Sequence, residues 1–379
     1  MESIESNQSN RSIHSIQSNR LPELASGQAM QIVLITGAYG FVGTNLSAYL
    51  ANQGVEVWAL DVAGAGTTGI YRRRFTWDGL KTLPWTQVDA VVHLAGKAHD
   101  TRRTSEAQSY FEINAGLTRR VLDAWKEGSA ADAPGGGDAA SGSPRRRIFI
   151  LFSSVKAVAD AVEGVLTEEA TPAPRTPYGE SKLAAEREVL KFGSSGVRES
   201  VTADGANQAD NFRTIELLNF RTYILRPCMI HGPGNKGNLN LLYRVVSKGI
   251  PWPLGAFENR RSFASVGNVC AVVAGVLEGR VGPGVYQVAD DEALATNELI
   301  HLMAETLGRR PRILEIPAAA IRGAARIGDW LHLPLDSERL MKLTESYVVS
   351  NEKVKHALGW ERMPVAAREG LRMTIEALR

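Results

Sequence analysis

Tyr178 and Lys182 stand four residues apart in the run PYGESKLAAERE. On a helix that spacing sends both side chains from one face. A phenol ordinarily titrates at about pH 10, which makes it a poor acid or base near neutrality. An ammonium held beside it favours the phenolate and lowers that value, so the pair is suited to proton transfer. Such pairs also arise by chance on solvated helix faces. The weight of this one comes from what precedes it. An apolar run, RRRIFILFSSV (145–155), ends in Ser153 and Ser154, and a proline-rich stretch, TPAPRTP, leads from there to Tyr178. A hydroxyl at a strand end, here Ser154, is placed to hydrogen-bond a substrate oxygen together with the phenol.

The elements that must position these groups begin with QIVLIT (31–36), a β-branched run that reads as a buried parallel strand. It enters TGAYGFVG, where Gly37, Gly40 and Gly43 have the spacing G-x-x-G-x-x-G around Tyr39, Phe41 and Val42. Absent side chains permit a tight turn, close approach of backbone N–H groups to a pyrophosphate, and close helix-on-strand packing. A helix over 41–53 then aims its positive end at that phosphate. VEVWAL (55–60) reads as the next strand, and Asp61 follows it, 24 residues after Gly37. A carboxylate there accepts the two ribose hydroxyls of an adenosine and repels a 2′-phosphate, which favours NAD over NADP. Arg72, Arg73 and Arg74 read as a solvated loop. VDAVVHLAG (88–96) is a third strand whose small end, Leu94, Ala95 and Gly96, lets a dinucleotide lie against the backbone. His93, inside an apolar strand, reads as a packed and hydrogen-bonded residue.

TGAYGFVG, Asp61, VVHLAG, FSSV and Tyr178-Gly-Glu-Ser-Lys182 together resemble the extended short-chain dehydrogenase/reductases, and within them the NAD-dependent nucleotide-sugar epimerase/dehydratase group. The resemblance runs from about Gln31 to the C-terminus. It implies that Tyr178 is the acid/base, that Lys182 lowers its pKa and bonds the nicotinamide ribose, and that Ser154 orients the reacting oxygen. It implies cofactor contacts from the glycine turn, Asp61, Leu94 to Gly96 and Pro227. Asn114, in FEINAGLTRR, would support the active-site helix. Asn238, Leu239 and Arg261 would contact a nucleotide-sugar, with Arg261 on a phosphate. Met229, His231 and Asn268 depart from residues common in sugar-nucleotide epimerases and leave the sugar open. The implied activity is epimerisation at C4 of a UDP-hexose. A 4-keto-sugar reductase is the near alternative. A steroid-dehydrogenase-like ketol reductase (the pattern LRPCMIHGPG) and a dinucleotide-sensing regulator stand further off. A dehydratase is disfavoured, because Ser154, Val155 and Lys156 stand where Thr-Asp-Glu would be expected. The resemblance also implies a homodimer formed through the helices holding Asn114 and Tyr178.

The whole chain sets the bounds. Its 379 residues suffice for one α/β core and a smaller second lobe, and its 44% hydrophobic and 22% charged residues are those of a soluble globular protein. A formal charge of +2 gives no electrostatic case for nucleic acid. No apolar run suggests a membrane span. Two cysteines, Cys228 and Cys270, make no disulfide framework, and no Cys/His spacing suggests a metal, so a cytoplasmic enzyme is the simplest reading. Residues 1–28 read as a disordered polar tail. Residues 127–146 and 193–212 read as flexible insertions. Alternating strands and helices imply a Rossmann-type doubly wound parallel sheet over 29–230, with a smaller C-terminal α/β substrate lobe over 231–379 from which 284–290 returns to the sheet. The stripe in IPAAAIRGAARIGDWLHLP is expected to face the core, with a membrane-surface helix as the alternative.

Overall fold

The computed structural model describes residues 31–62, 69–97, 106–129, 147–194, 220–235, 237–331 and 336–379. The expected tail, and most of both expected insertions, lie outside these residues. Among the described residues, eleven strands follow in chain order: β1 (Ile32–Thr36), β2 (Glu56–Asp61), β3 (Arg73–Thr76), β4 (Ala90–His93), β5 (Arg147–Phe152), β6 (Val165–Leu166), β7 (Phe220–Pro227), β8 (Met229–His231), β9 (Phe263–Ser265), β10 (Gly284–Val288) and β11 (Val348–Val349). Seven form the central sheet in the order β3-β2-β1-β4-β5-β7-β10, every pair parallel. Strand order reverses at β1, and the crevice beyond the strand ends at such a reversal is where ligands bind in this architecture.

The unbroken apolar runs of the sequence follow from burial on both faces. Val33 and Ile35 of β1 join one core layer, and Leu34 between them joins the other. Val57 and Ala59 alternate with Trp58 and Leu60 in the same way, as do Ile148 and Ile150 with Phe149 and Leu151. One layer is closed by α1 (Phe41–Ala51), and the other by the helix that runs from α2 (Ala107–Phe111) through a π turn at Glu112–Gly116 into α3 (Leu117–Ser129), together with α4 (Pro177–Ser194).

Two expectations are corrected. Arg73 and Arg74 belong to an edge strand rather than a loop. β2 offers an open edge, the ladder pairs Trp58 with Arg73, and the Arg73 guanidinium lies 4.8 Å from the Trp58 ring centre. Charged side chains are what an exposed edge tolerates. The helix that carries Asn114 is not regular, because the π turn interrupts it. α3 and α4 also extend through Ser129 and Ser194, so the first residues of both expected insertions are helical.

The C-terminal part adds α5 (Asn238–Ser247), α6 (Val266–Leu277), α7 (Thr296–Thr306), α8 (Ala318–Leu331), α9 (Ser337–Thr344), α10 (Glu352–Leu358) and α11 (Ala367–Glu376). α6 is buried along its whole length, which accounts for its apolar sequence VGNVCAVVAGVL. A separate core of Leu239, Val246, Phe263, Leu294, Leu299, Met303 and Leu371 holds the second lobe.

Candidate active site

The glycine turn folds back on the sheet. Gly37 has φ +68°, and a Cβ there would stand 2.8 Å from the Ala95 nitrogen. A Cβ on Gly43 would stand 2.4 Å from the Gly37 carbonyl oxygen. Both positions therefore exclude any side chain. The turn is closed by the Gly40 N–H donating to the Gly37 carbonyl at 3.1 Å. Asp61, at the end of β2, accepts from the Tyr39 N–H through one oxygen and from the Val62 N–H through the other, each at 2.8 Å. A carboxylate has about four acceptor positions, so capacity for ribose hydroxyls remains. Thr36 accepts from the Ala95 N–H at 3.1 Å and lies 2.8 Å from His93 Nδ1. Burial, reinforced by Lys182, depresses the pKa of His93 to about 3, so the ring is neutral. It is a packed, hydrogen-bonded residue, and its Nε2 finds no partner among the described residues.

α4 carries the proposed chemistry on one face. The Tyr178 phenol lies beside Ser154, and Tyr110 of α2 meets it edge-on with ring centres 6.2 Å apart. Burial raises the Tyr178 pKa above its usual value, and the Ser154 hydroxyl works against that. The lowering expected from Lys182 is not among its causes. Lys182 Nζ instead donates to the Phe152 carbonyl at 2.9 Å, and burial lowers its own pKa to about 8. The ammonium also lies close to the end of β4, since a Cβ on Gly96 would meet it at 3.1 Å and Asn114 Oδ1 at 2.7 Å. Gly37, Ala95, Gly96 and Lys182 thus follow one another across the ends of β1 and β4, and Tyr178, one helical turn from Lys182, stands beside Ser154 at the end of β5. Asn114, in the π turn, accepts from the Lys97 N–H at 2.8 Å and donates to Ser181 Oγ at 2.9 Å, and Ser181 donates to the Tyr178 carbonyl at 2.8 Å. π turns concentrate at functional sites, and this one ties β4 to the first turn of α4.

Several contributors are missing from the sequence reading. Glu186 extends the Tyr178–Lys182 face by one more turn. It takes a forked ion pair from Arg226 of β7 at 2.8 and 2.6 Å and a short hydrogen bond from Ser153 Oγ, with Glu186 and Arg226 only 1% and 5% exposed. The signal was its spacing, i+4 from Lys182. Gly179 lets α4 touch the serine turn, since a Cβ there would stand 2.4 Å from the Lys156 carbonyl oxygen. Asp160 pins the approach to α4 by accepting from the Arg175 N–H at 2.6 Å and from Thr176 Oγ1 at 2.9 Å. Tyr347 bridges the lobes. Its hydroxyl donates to the Ala159 carbonyl at 2.7 Å, and its backbone pairs with Arg261.

The expected substrate residues are spread over the second lobe. Arg261 is half-buried, and its Nε donates to the Glu345 carbonyl at 3.1 Å. Asn238 opens α5, and the Leu239 side chain lies in the second core, leaving its backbone to any ligand. Pro227 ends β7, paired with Val288. His231 and Asn268 converge on one buried carboxylate, Asp290, at 3.2 and 2.7 Å, so these two departures form a structural node rather than a pocket lining. Among the described residues no His/Cys/Asp/Glu group could hold a metal, and no helix is long and apolar enough to cross a membrane.

The family model described as "NAD dependent epimerase/dehydratase family" matches residues 33–289, more than half of the chain. Among curated proteins, the UDP-glucose 4-epimerase of Vibrio cholerae is 26% identical over 91% of this chain and 94% of its own. The GDP-6-deoxy-D-mannose reductase of Pseudomonas aeruginosa is 26% identical over 78% of this chain and 86% of its own. Among solved structures, the UDP-glucose 4-epimerase of Thermus thermophilus in complex with NAD superposes with a TM-score of 0.64 at 22% identity, covering 92% of this chain and 99% of that one.

Proposed function

Because this chain belongs to the NAD dependent epimerase/dehydratase family and is an enzyme of it, we propose that it inverts a secondary alcohol, C4 of a UDP-linked hexose, through Ser154, Tyr178 and Lys182. The observation that carries this reading is the placement of Tyr178 and Lys182 one turn apart on α4, with Ser154 beside the phenol and the Lys182 ammonium near Gly96 at the end of β4. NAD, when bound, supplies a hydride acceptor and a positively charged ring. The bare cradle at Gly37 and Gly43, the Asp61 carboxylate and the buried Lys182 suit such a dinucleotide. Asp61 also disfavours a 2′-phosphate there.

Tyr178 takes the proton from the sugar hydroxyl and returns one after the ring has turned over. Its pKa is raised by burial, so a nearby positive charge is needed before the phenol serves as a base at neutral pH. Lys182, on the same helix face, offers the donors for a ribose hydroxyl. Ser154 orients the substrate oxygen toward the phenol. Arg261 receives a phosphate of the nucleotide, and Tyr347 couples its strand to the serine turn. The same reading includes a homodimer packed through the outer faces of α3 and α4, where Leu190 is 52% exposed.

The test is turnover of UDP-glucose or UDP-galactose by the purified protein with catalytic NAD. Tyr178→Phe should abolish turnover and leave dinucleotide binding intact. An unaffected rate would remove Tyr178 from the mechanism. Consumption of one NADH per product would assign the 4-keto reductase alternative instead.

A further inference from the structure

The stripe in α8 does not all face the core. Ile321, Ala325 and Gly328 point inward, where Ile321 and Ala325 pack with Leu254 and Leu340. Ala319, Ala320, Gly323, Ala324, Ile327 and Trp330 form a second apolar stripe on the opposite side, exposed to solvent. At about 100° per residue, these six fall within a single arc of the helix. Trp330 is 79% exposed, the highest value among the large hydrophobic residues described, and Ile327 is 56% exposed. α9 packs beside α8 and adds Met341 and Leu343, 56% and 43% exposed. Arg322 and Arg326 are exposed along one flank of the stripe. Asp329, the only acid on α8, is occupied in capping α9 through the Ser337 N–H and hydroxyl. From Arg309 to Lys342 the sequence holds seven Lys and Arg against four Asp and Glu.

We propose that the α8–α9 face docks onto the surface of an anionic phospholipid bilayer, with Ile327 and Trp330 entering the headgroup region and Arg322 and Arg326 meeting lipid phosphates. A helix with a wide apolar face, an aromatic at its end and arginines on its flank is the form that lies in a membrane interface without spanning it. The charge pattern selects this occupant. A second copy apposed through the same face would set arginines against arginines, whereas an anionic surface complements them. The sequence reading favoured the core for this stripe over a membrane surface and expected no membrane partner; Ile321 and Ala325 do face the core, and the exposed arc overturns that placement for the outer half. α9 leads directly to the segment around Arg261: Asn259 Nδ2 donates to the Leu343 carbonyl and Arg261 Nε to the Glu345 carbonyl. Docking therefore brings the lobe carrying Arg261 to the bilayer, a consequence that rests on the reading of Arg261 above.

The experiment is co-sedimentation of the full chain with vesicles of phosphatidylcholine, with and without phosphatidylglycerol, at low and high salt. Binding is expected to require phosphatidylglycerol and to fall with salt. Ile327→Ser/Trp330→Ser should weaken partitioning about tenfold or more. Arg322→Gln/Arg326→Gln should weaken it about fivefold per arginine. Because all four residues are exposed, these variants should keep the unfolding temperature of the parent. In a second readout, brominated lipid should quench part of the tryptophan fluorescence. Trp330→Phe, which preserves the apolar face, should keep vesicle binding and lose that quenching. Binding to neither vesicle, equal binding to both, or undiminished binding by Ile327→Ser/Trp330→Ser would each overturn the proposal. So would concentration-dependent self-association in light scattering that the same double variant abolishes, since a second copy would then be the occupant.

Discussion

Glu186→Gln offers a sharp test of how the helix carrying Tyr178 and Lys182 is held. The carboxylate takes two bonds from Arg226 and one from Ser153, in a place where Glu186 and Arg226 are 1% and 5% exposed. Glutamine keeps the shape but turns an amide donor toward a guanidinium and leaves that cation buried without a counter-charge. Breaking such a pair costs about 3–5 kcal/mol. For a chain of this size that lowers the unfolding temperature by roughly 4–6 °C. Replacing both partners by apolar residues, Glu186→Leu/Arg226→Met, should recover most of the loss, because buried pairs exchange for well-packed hydrophobes at little cost. Glu186 is also the charge that opposes the lowering of the Lys182 pKa by burial. Glu186→Gln should therefore move that pKa further down and draw the alkaline limb of the rate profile to lower pH. Calorimetry together with a pH–rate profile checks both parts. A destabilisation under about 1 kcal/mol with an unmoved alkaline limb would refute the reasoning.

Other expectations follow from the same geometry. Burial holds Lys182 at about 8 against 10.5 in the unfolded chain, so its contribution to stability is complete above pH 10.5 and is lost as pH falls to 8. Lys182→Met should then stabilise the fold at neutral pH by about 2 kcal/mol, net of the lost bond to Phe152, and flatten the rise in stability over that alkaline window in denaturant titrations. His93 is held at about 3 against 6.5 unfolded, so its contribution is present above pH 6.5 and disappears on acidification toward pH 3. His93→Asn should give a shallower acid limb in thermal unfolding measured across that range. Gly37→Ala must adopt φ +68° and press a methyl against the Ala95 nitrogen. NAD affinity by calorimetry should fall about tenfold or more, with little change expected if the turn can relax.

The parallel sheet, the glycine turn and the Tyr178–Lys182 face were legible because each imposes a local pattern. Strands buried on both faces must be apolar throughout, and φ +68° at Gly37 demands glycine. Arg73 and Arg74 were read as loop because pairing to an edge is decided by the open side of β2, not by strand propensity. Glu186 and Arg226 were passed over because their link spans 40 residues and only the fold closes it. The shared partner of His231 and Asn268 was hidden for the same reason, as Asp290 lies 59 residues from one and 22 from the other. The outer stripe of α8 was visible as apolar spacing, but which of its two sides turned inward depended on the distant Leu254 and Leu340.

Tyr110, Asn114 and Thr118 are buried and spaced by four, yet a regular helix overshoots by about 40° at every such step. The π turn between Glu112 and Gly116 absorbs the drift by admitting one surplus residue. It therefore works as a phase corrector. Were the same residues wound as ordinary α-helix, Tyr110 and Thr118 would stand about 80° out of phase, and Tyr110 would turn off Tyr178. The surplus residue is thus matched to its turn: excising it would leave seven residues, about 700°, between Tyr110 and Thr118 and keep both on one face.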